Sequence, residues 1–165
     1  MIIIGIDPGV NTGLAEFDPA SGLFMSVRSS GIVQAMREVE KYRPSLAIWE
    51  DARLRTWFGT KGRESLQGAG SIKCECRIWA EFFAATGIPN LPVKPQKGAT
   101  KWTSKAFAKL TGWPLPTNEH GRDAAMLVWG ISTARAGQMI GASTAASSSG
   151  THGRARSTAR PSNSR

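Results

Sequence analysis

The sequence is poor in cysteine, in acids and in long apolar runs, and each shortage closes off a class of function. Only Cys74 and Cys76 occur in 165 residues. They lie two apart in a helical pattern, where their side chains point roughly 200° apart and can neither pair nor share a metal. A disulfide scaffold and a zinc ribbon are excluded, and two buried thiols in a reducing compartment are expected. No run of about 18 apolar residues is present, nor a charged, then apolar, then small-residue leader. A cytoplasmic protein without a membrane span is therefore expected. Acids number 12 against 21 Lys and Arg, a surplus of +9 that suits a polyanionic partner such as nucleic acid.

After Gly141 no large aliphatic or aromatic residue appears. Ala, Ser, Thr, Gly and the arginines Arg154, Arg156, Arg160 and Arg165 take over, a composition unable to bury a core. Residues 1–141 are read as one domain and 142–165 as a disordered basic tail, either a solubilising end or a loose DNA tether.

Within the domain, the isoleucine-rich segment from Met1 to Ile6 reads as a strand buried on both faces, turned by Asp7-Pro8-Gly9. Thr12 to Phe17 and Leu23 to Ser29 complete an antiparallel meander. Ile32 to Tyr42 has helical spacing, and Pro44 stops it before a strand from Leu46 to Glu50. A long helix from Glu64 to Thr86, a strand at Leu91 to Lys94, a helix from Thr103 to Leu110 and a final helix from Thr117 to Gln138 follow. The order βββαβαβαα predicts an α/β domain with a mixed five-stranded sheet flanked by helices.

Three acidic positions stand at element ends: Asp7, Glu50, and the pair His120 and Asp123, three apart at a helix start and so on one face. Singly, each has an ordinary explanation as a turn, a solvated strand end or a helix cap. Together they are more specific, because neighbouring parallel strands bring the ends of the first strand and the Leu46 to Glu50 strand to one sheet edge. Carboxylates crowded there repel at low dielectric, and a divalent cation neutralises them. Oxygen ligands with one imidazole suit Mg²⁺ or Mn²⁺ better than zinc. Two such ions about 4 Å apart can drive in-line attack of water on a phosphodiester.

Three segments carry a family resemblance: Ile3-Ile-Gly-Ile-Asp7-Pro-Gly-Val-Asn-Thr-Gly-Leu-Ala15, Leu46-Ala-Ile-Trp-Glu50, and His120-Gly-Arg-Asp123-Ala-Ala-Met-Leu. In these motifs and their order the chain resembles the RuvC family of Holliday junction resolvases, within the ribonuclease H-like superfamily. The resemblance implies a ribonuclease H-like fold, with Asp7 bridging two metals, Glu50 completing one site, and His120 with Asp123 completing the other. It implies Mg²⁺ as cofactor with Mn²⁺ substituting, four-way junction DNA as partner, and a homodimer. A short interval from Asp7 to Glu50, and Gly121 in a helical first turn, mark a divergent or phage-type member.

The segment Arg53-Leu-Arg55-Thr-Trp57-Phe58-Gly-Thr-Lys61-Gly-Arg63 mixes cations with two large aromatics, a nucleic-acid signature. Its alternative is that Trp57 and Phe58 fold back onto the domain. Lys94, Lys97, Lys101, Lys105 and Lys109 have no acid among them. If helical, the last three form one stripe, able to meet phosphates or simply to face solvent. Lys97 and Lys101 follow a strand and could reach the scissile phosphate or its neighbours, in a region where the resemblance also implies basic residues. Leu66, Ile72, Ile78, Trp79, Phe82 and Phe83 give the long helix more apolar surface than one face needs. A two-fold partner or burial within the monomer accounts for it.

The expected activity is that of a metal-dependent endonuclease making paired nicks in branched DNA and leaving 5′-phosphate and 3′-hydroxyl ends. A related nuclease acting on RNA:DNA hybrids or forks, and a non-catalytic branched-DNA-binding protein, are the alternatives. An actin-like nucleotide module shares the Gly5 to Gly13 pattern but needs two such domains.

Overall fold

The computed structural model describes residues 1–55, 63–95 and 101–149. Its elements are β1 (Ile3–Asp7), β2 (Asn11–Asp18), β3 (Leu23–Gly31), α1 (Ile32–Tyr42), β4 (Leu46–Glu50), α2 (Arg63–Thr86), β5 (Asn90–Val93), α3 (Ser104–Thr111), α4 (Glu119–Met126) and α5 (Thr133–Ser149). They form the expected mixed five-stranded sheet, in the order β3-β2-β1-β4-β5. β1 runs antiparallel to β2 and parallel to β4, and β4 is parallel to β5.

The sheet is buried on both faces, and the period of two sorts the side chains. Ile4, Ile6, Leu14, Ala47 and Trp49 pack beneath α1 and α2 with Ala35, Val39, Trp79 and Phe83. Ile3, Ala15, Phe17, Leu46 and Ile48 pack on the other face, with Phe107, Ala124, Ala125 and Val128. Each fully buried aliphatic side chain contributes about 1.5–3 kcal/mol. Continuing the second set along its strands puts Asp7 in phase with Ile3, and Glu50 in phase with Leu46 and Ile48. Both acids therefore belong to the α4 side of the sheet.

The helix α4 lies directly on that sheet. A Cβ at Gly5 would run into the Ala124 carbonyl, and one at Gly13 into the carbonyl of His120. Gly121, expected only to weaken the helix, is buried against β3. There a Cβ would stand 3.2 Å from the Arg28 carbonyl and 3.3 Å from Asn118 Oδ1. The first-strand motif thus has a packing reason for its glycines: they let two backbones meet.

The mixed five-stranded sheet and the first seven elements follow the sequence reading, while the C-terminal helices differ from it. The helix expected from Thr117 to Gln138 is two helices. Asn118, not Thr117, caps α4, its Oδ1 accepting from Gly121 N at 2.9 Å. The apolar period runs on through Leu127 and Val128, but Gly130 at φ +74° turns the chain before α5. That helix then continues past Gly141 to Ser149. Ser143 is buried, donates to the Asn90 carbonyl at 2.8 Å and accepts from Asn90 N at 3.0 Å. The change of composition after Gly141 is therefore not where helical structure stops; residues 150–165 lie outside the described residues.

Replacing Gly5 or Gly13 by alanine should lower stability by about 1–3 kcal/mol in urea unfolding. Gly70, exposed within α2 with nothing near its missing Cβ, should instead gain up to about 1 kcal/mol on becoming alanine.

Candidate active site

One open cleft of about 530 Å³ lies at the ends of β1 and β4, lined by Asp7, Glu50, Glu75, Lys101, His120 and Asp123 among others. The parallel register Ile6↔Trp49, advanced by one residue, sets Asp7 beside Glu50. The loop after Asp7 is fixed by Thr12, a fully buried side chain whose hydroxyl donates to the Gly9 carbonyl at 2.7 Å. The approach of α4 at Gly13 carries His120 to Asp7. Its Nδ1 lies 3.0 Å from Asp7 Oδ2. When Asp7 is ionised it only accepts, so Nδ1–H donates in this contact and Nε2 points away from the carboxylate.

Charge in the cleft is poorly compensated. Burial pushes the Asp7 carboxyl above its ordinary range; the His120 hydrogen bond opposes that rise and Asp123 adds to it. Glu50 is raised by burial first and by Asp7 second, with Arg55 pulling the other way. The donor set, three carboxylates and an imidazole, suits a hard divalent cation. Among the described residues, however, no three His, Cys, Asp or Glu side chains stand close enough to hold one ion. The cleft therefore has the right chemistry and placement for a metal, without the side-chain convergence expected for Asp7, Glu50, His120 and Asp123. Binding would require these side chains to draw closer together.

The expected basic residues divide. Lys101 lines the cleft and forms an ion pair with Glu119. It does not join a helical stripe, because Thr103 caps α3 by accepting from Ala106 N and starts the helix after Lys101. Lys105 and Lys109 are exposed on α3, and Lys94 is exposed beyond β5. Arg55 is exposed and its charge reaches Glu50. Arg53, expected to face DNA, forks onto the buried Asp51, with Nη2 to Oδ2 at 2.7 Å and Nε to Oδ1 at 2.9 Å. Its guanidinium also lies 5.7 Å from the Trp49 ring centroid, so this charge is engaged within the fold. Trp57, Phe58, Lys61, Lys97 and the Arg63 side chain lie outside the described residues.

Two cleft residues were not singled out from the sequence. Glu119 opens α4 and holds Lys101. Glu75 is only 9% exposed and accepts from Ser71 Oγ at 3.3 Å. Its signal was present: it adjoins the helical face marked by Ile72, Cys76, Trp79 and Phe83, where a carboxylate is out of place. The cysteines also differ from expectation, since Cys76 is buried but Cys74 is exposed. Position 74 falls on the outer side of α2, as its separation from Cys76 requires. The Cys76 thiol, pushed up to about 11 by burial, is neutral. It donates to the Glu50 carbonyl at 3.6 Å and accepts from Ala52 N at 3.4 Å, tying α2 to the end of β4.

No protein-family model matches the chain, and no curated protein does. Among solved structures it is similar to T. thermophilus RuvC in complex with a Holliday junction substrate, at 16% identity and a TM-score of 0.52. That alignment covers 88% of this chain and 96% of the other. A second T. thermophilus RuvC structure aligns at 13% identity and a TM-score of 0.49, with the same coverage. At this identity the likeness is one of fold: the chain has a RuvC-like fold. Among the described residues no helix is long and apolar enough to cross a membrane.

The raised Glu50 carboxyl carries a linkage consequence. The folded chain keeps a proton that the unfolded chain has released, so this group's contribution to stability falls as pH rises from the ordinary glutamate range through the raised value. Glu50→Gln removes that loss. In urea unfolding of metal-free protein, the variant should gain on wild type between pH 4 and pH 7. An unchanged difference across that range would show that the Glu50 charge is already compensated.

Proposed function

We propose that this RuvC-like chain is a divalent-metal-dependent, structure-selective endonuclease that nicks branched DNA, four-way junctions foremost. The observation that carries the reading is the meeting of Asp7, Glu50, His120 and Asp123 in one cleft with Lys101 beside them. The solved neighbour bound to a Holliday junction substrate supports the choice of DNA. The surplus of +9 supports a polyanion in general.

Asp7, Glu50, Asp123 and His120 would hold the ions, Mg²⁺ or Mn²⁺ in its place. When bound, these ions supply Lewis acidity and an activated water for in-line phosphodiester hydrolysis, giving 5′-phosphate and 3′-hydroxyl ends. Asp7 orients the His120 ring by accepting from Nδ1, which keeps Nε2 available as a lone-pair donor. Lys101, exposed and held by Glu119, meets the phosphate whose charge competes for it. Lys97, Lys94 and Lys105 extend that contact, with Arg55 acting electrostatically on Glu50. Trp57 and Phe58, with Lys61 and Arg63 around them, are assigned to the opened branch point, where a ring compensates an unstacked base by about 1–3 kcal/mol.

Two nicks in a two-fold junction call for two such clefts, so the active form is assigned as a homodimer. Exposed Ile78 on α2, outside the cleft lining, supports an apolar contact there.

Labelled four-way, three-way and linear DNA, with an RNA:DNA hybrid beside them, test the assignment. With Mg²⁺ the four-way junction should be nicked fastest, and chelation should stop the reaction. Asp7→Asn should cost at least about a hundredfold in rate, as removal of several kcal/mol of metal-borne stabilisation requires, while junction binding in gel shifts persists. Equal cleavage of all DNA forms would remove junction selectivity. Preference for the hybrid would reassign the substrate, and binding without hydrolysis even in Mn²⁺ would leave a binding protein only.

A further inference from the structure

We infer that Arg122 is a positioning residue that clamps the chain around Lys101 and so holds that lysine at the mouth of the cleft. The inference rests on the nuclease reading for its functional meaning, but the clamp itself stands on geometry. Arg122 lies on α4 between His120 and Asp123, half-buried. Its Nε donates to the Trp102 carbonyl at 2.6 Å. Its Nη1 donates to the Thr117 carbonyl at 2.6 Å and to Thr117 Oγ1 at 3.3 Å. One guanidinium thus grips both ends of the segment that contains α3.

Arg122 has no carboxylate within ion-pair distance among the described residues. A cation near the N-terminal end of α4 also opposes the helix dipole. Its charge is committed instead to backbone oxygens, where charge-assisted hydrogen bonds are strong and the planar fork fixes direction. The peptide it holds is the one joining Trp102 to the next residue, directly after Lys101. Trp102 is half-buried against the core cluster of the α4 face, which gives the clamp a rigid base. Lys101 itself has a side chain 70% exposed and is paired with Glu119. Beside the Lys101–Glu119 pair and the packing of Trp102, the Arg122 fork supplies the hydrogen bond from α4 to the backbone of this stretch.

Lysine at position 122 keeps the charge but cannot bridge two carbonyls with a fixed fork. The test compares wild type, Arg122→Lys, Lys101→Ala and the double variant. Arg122→Lys should lower single-turnover cleavage of the four-way junction roughly tenfold, the scale expected for losing a charge-assisted hydrogen bond. In the Lys101→Ala background the same change should alter the rate by less than about twofold, because two residues acting through one path are not additive. Independent, multiplying losses would overturn the inference, as would a Lys101→Ala variant that cleaves like wild type. Urea midpoints should fall equally in both backgrounds, which separates positioning from general destabilisation.

A second measurement does not depend on cleavage. Heteronuclear NOE values of the Lys101 and Trp102 amides should drop in Arg122→Lys, while those of Ala124 and Ala125 hold. Unchanged values at Lys101 and Trp102 refute the clamp whatever the enzyme does. If wild type cleaves no DNA, the nuclease reading fails while the NOE result still decides whether Arg122 orders this stretch.

Discussion

The site depends on one close approach, the backbone of α4 lying on β1 and β2 at Gly5 and Gly13. Helices usually stand off a sheet by the length of two side chains. Here a Cβ at either glycine would enter a carbonyl of α4, so the helix is seated on the main chain of the strands. That contact sets where His120 meets Asp7, since the carbonyl lying over Gly13 belongs to His120 itself. A displacement of about 1 Å in the helix would separate Nδ1 from Oδ2 beyond hydrogen-bond range. The glycines are thus part of the site without touching anything reactive.

Electrostatics is distributed unevenly around this contact. Arg28 is pinned between Glu16 and Glu38, each at 2.7 Å, and joins β2, β3 and α1. Arg53 is bound to Asp51, and Arg122 to two carbonyls. These guanidiniums serve the fold. The cleft, by contrast, gathers acids whose partners are an imidazole and an exposed lysine. Burial and mutual repulsion lift Asp7 and Glu50, an arrangement that costs the empty protein stability and favours whatever cation relieves it. Net charge therefore describes the chain's attraction to a polyanion, while the cleft has the opposite local sign.

Much of this was legible from residue patterns. The β-branched run of β1 and the apolar run of β4 are local signals, and the period of two sends Asp7 and Glu50 to one face without further information. The spacing of His120 and Asp123 likewise fixes their shared helical face. What escaped notice depended on tertiary context. The break between α4 and α5 is hidden because Leu127 and Val128 continue the apolar period that Gly130 interrupts. Glu75 reads as one charge in a long helix until α2 is seen to wall the cleft. Arg53 in a basic, aromatic segment reads as a phosphate ligand, yet Asp51 two residues earlier captures it. Ser143, in a stretch too small-sided to make a core, is buried because its hydroxyl serves both polar groups of the Asn90 backbone.

The position of the cleft follows from how the chain leaves the sheet. After β1 the chain turns back through a hairpin into β2. After β4, parallel to β1 and adjacent to it, the chain departs the other way toward α2. Two neighbouring strands whose continuations diverge leave a crevice beyond their carboxyl ends, the place where open α/β sheets present ligand sites. Asp7 and Glu50 are the last residues of those strands, so strand geometry holds their backbones while their side chains stand where neither neighbour covers them. The helix α4 closes one flank through Gly13, and α2 closes the other through Cys76, whose neutral thiol grips the Glu50 carbonyl and the Ala52 amide. A rigid floor with helices on two sides keeps the carboxylates from retreating into the core and leaves the cleft open on the remaining side, with Lys101 among its lining residues.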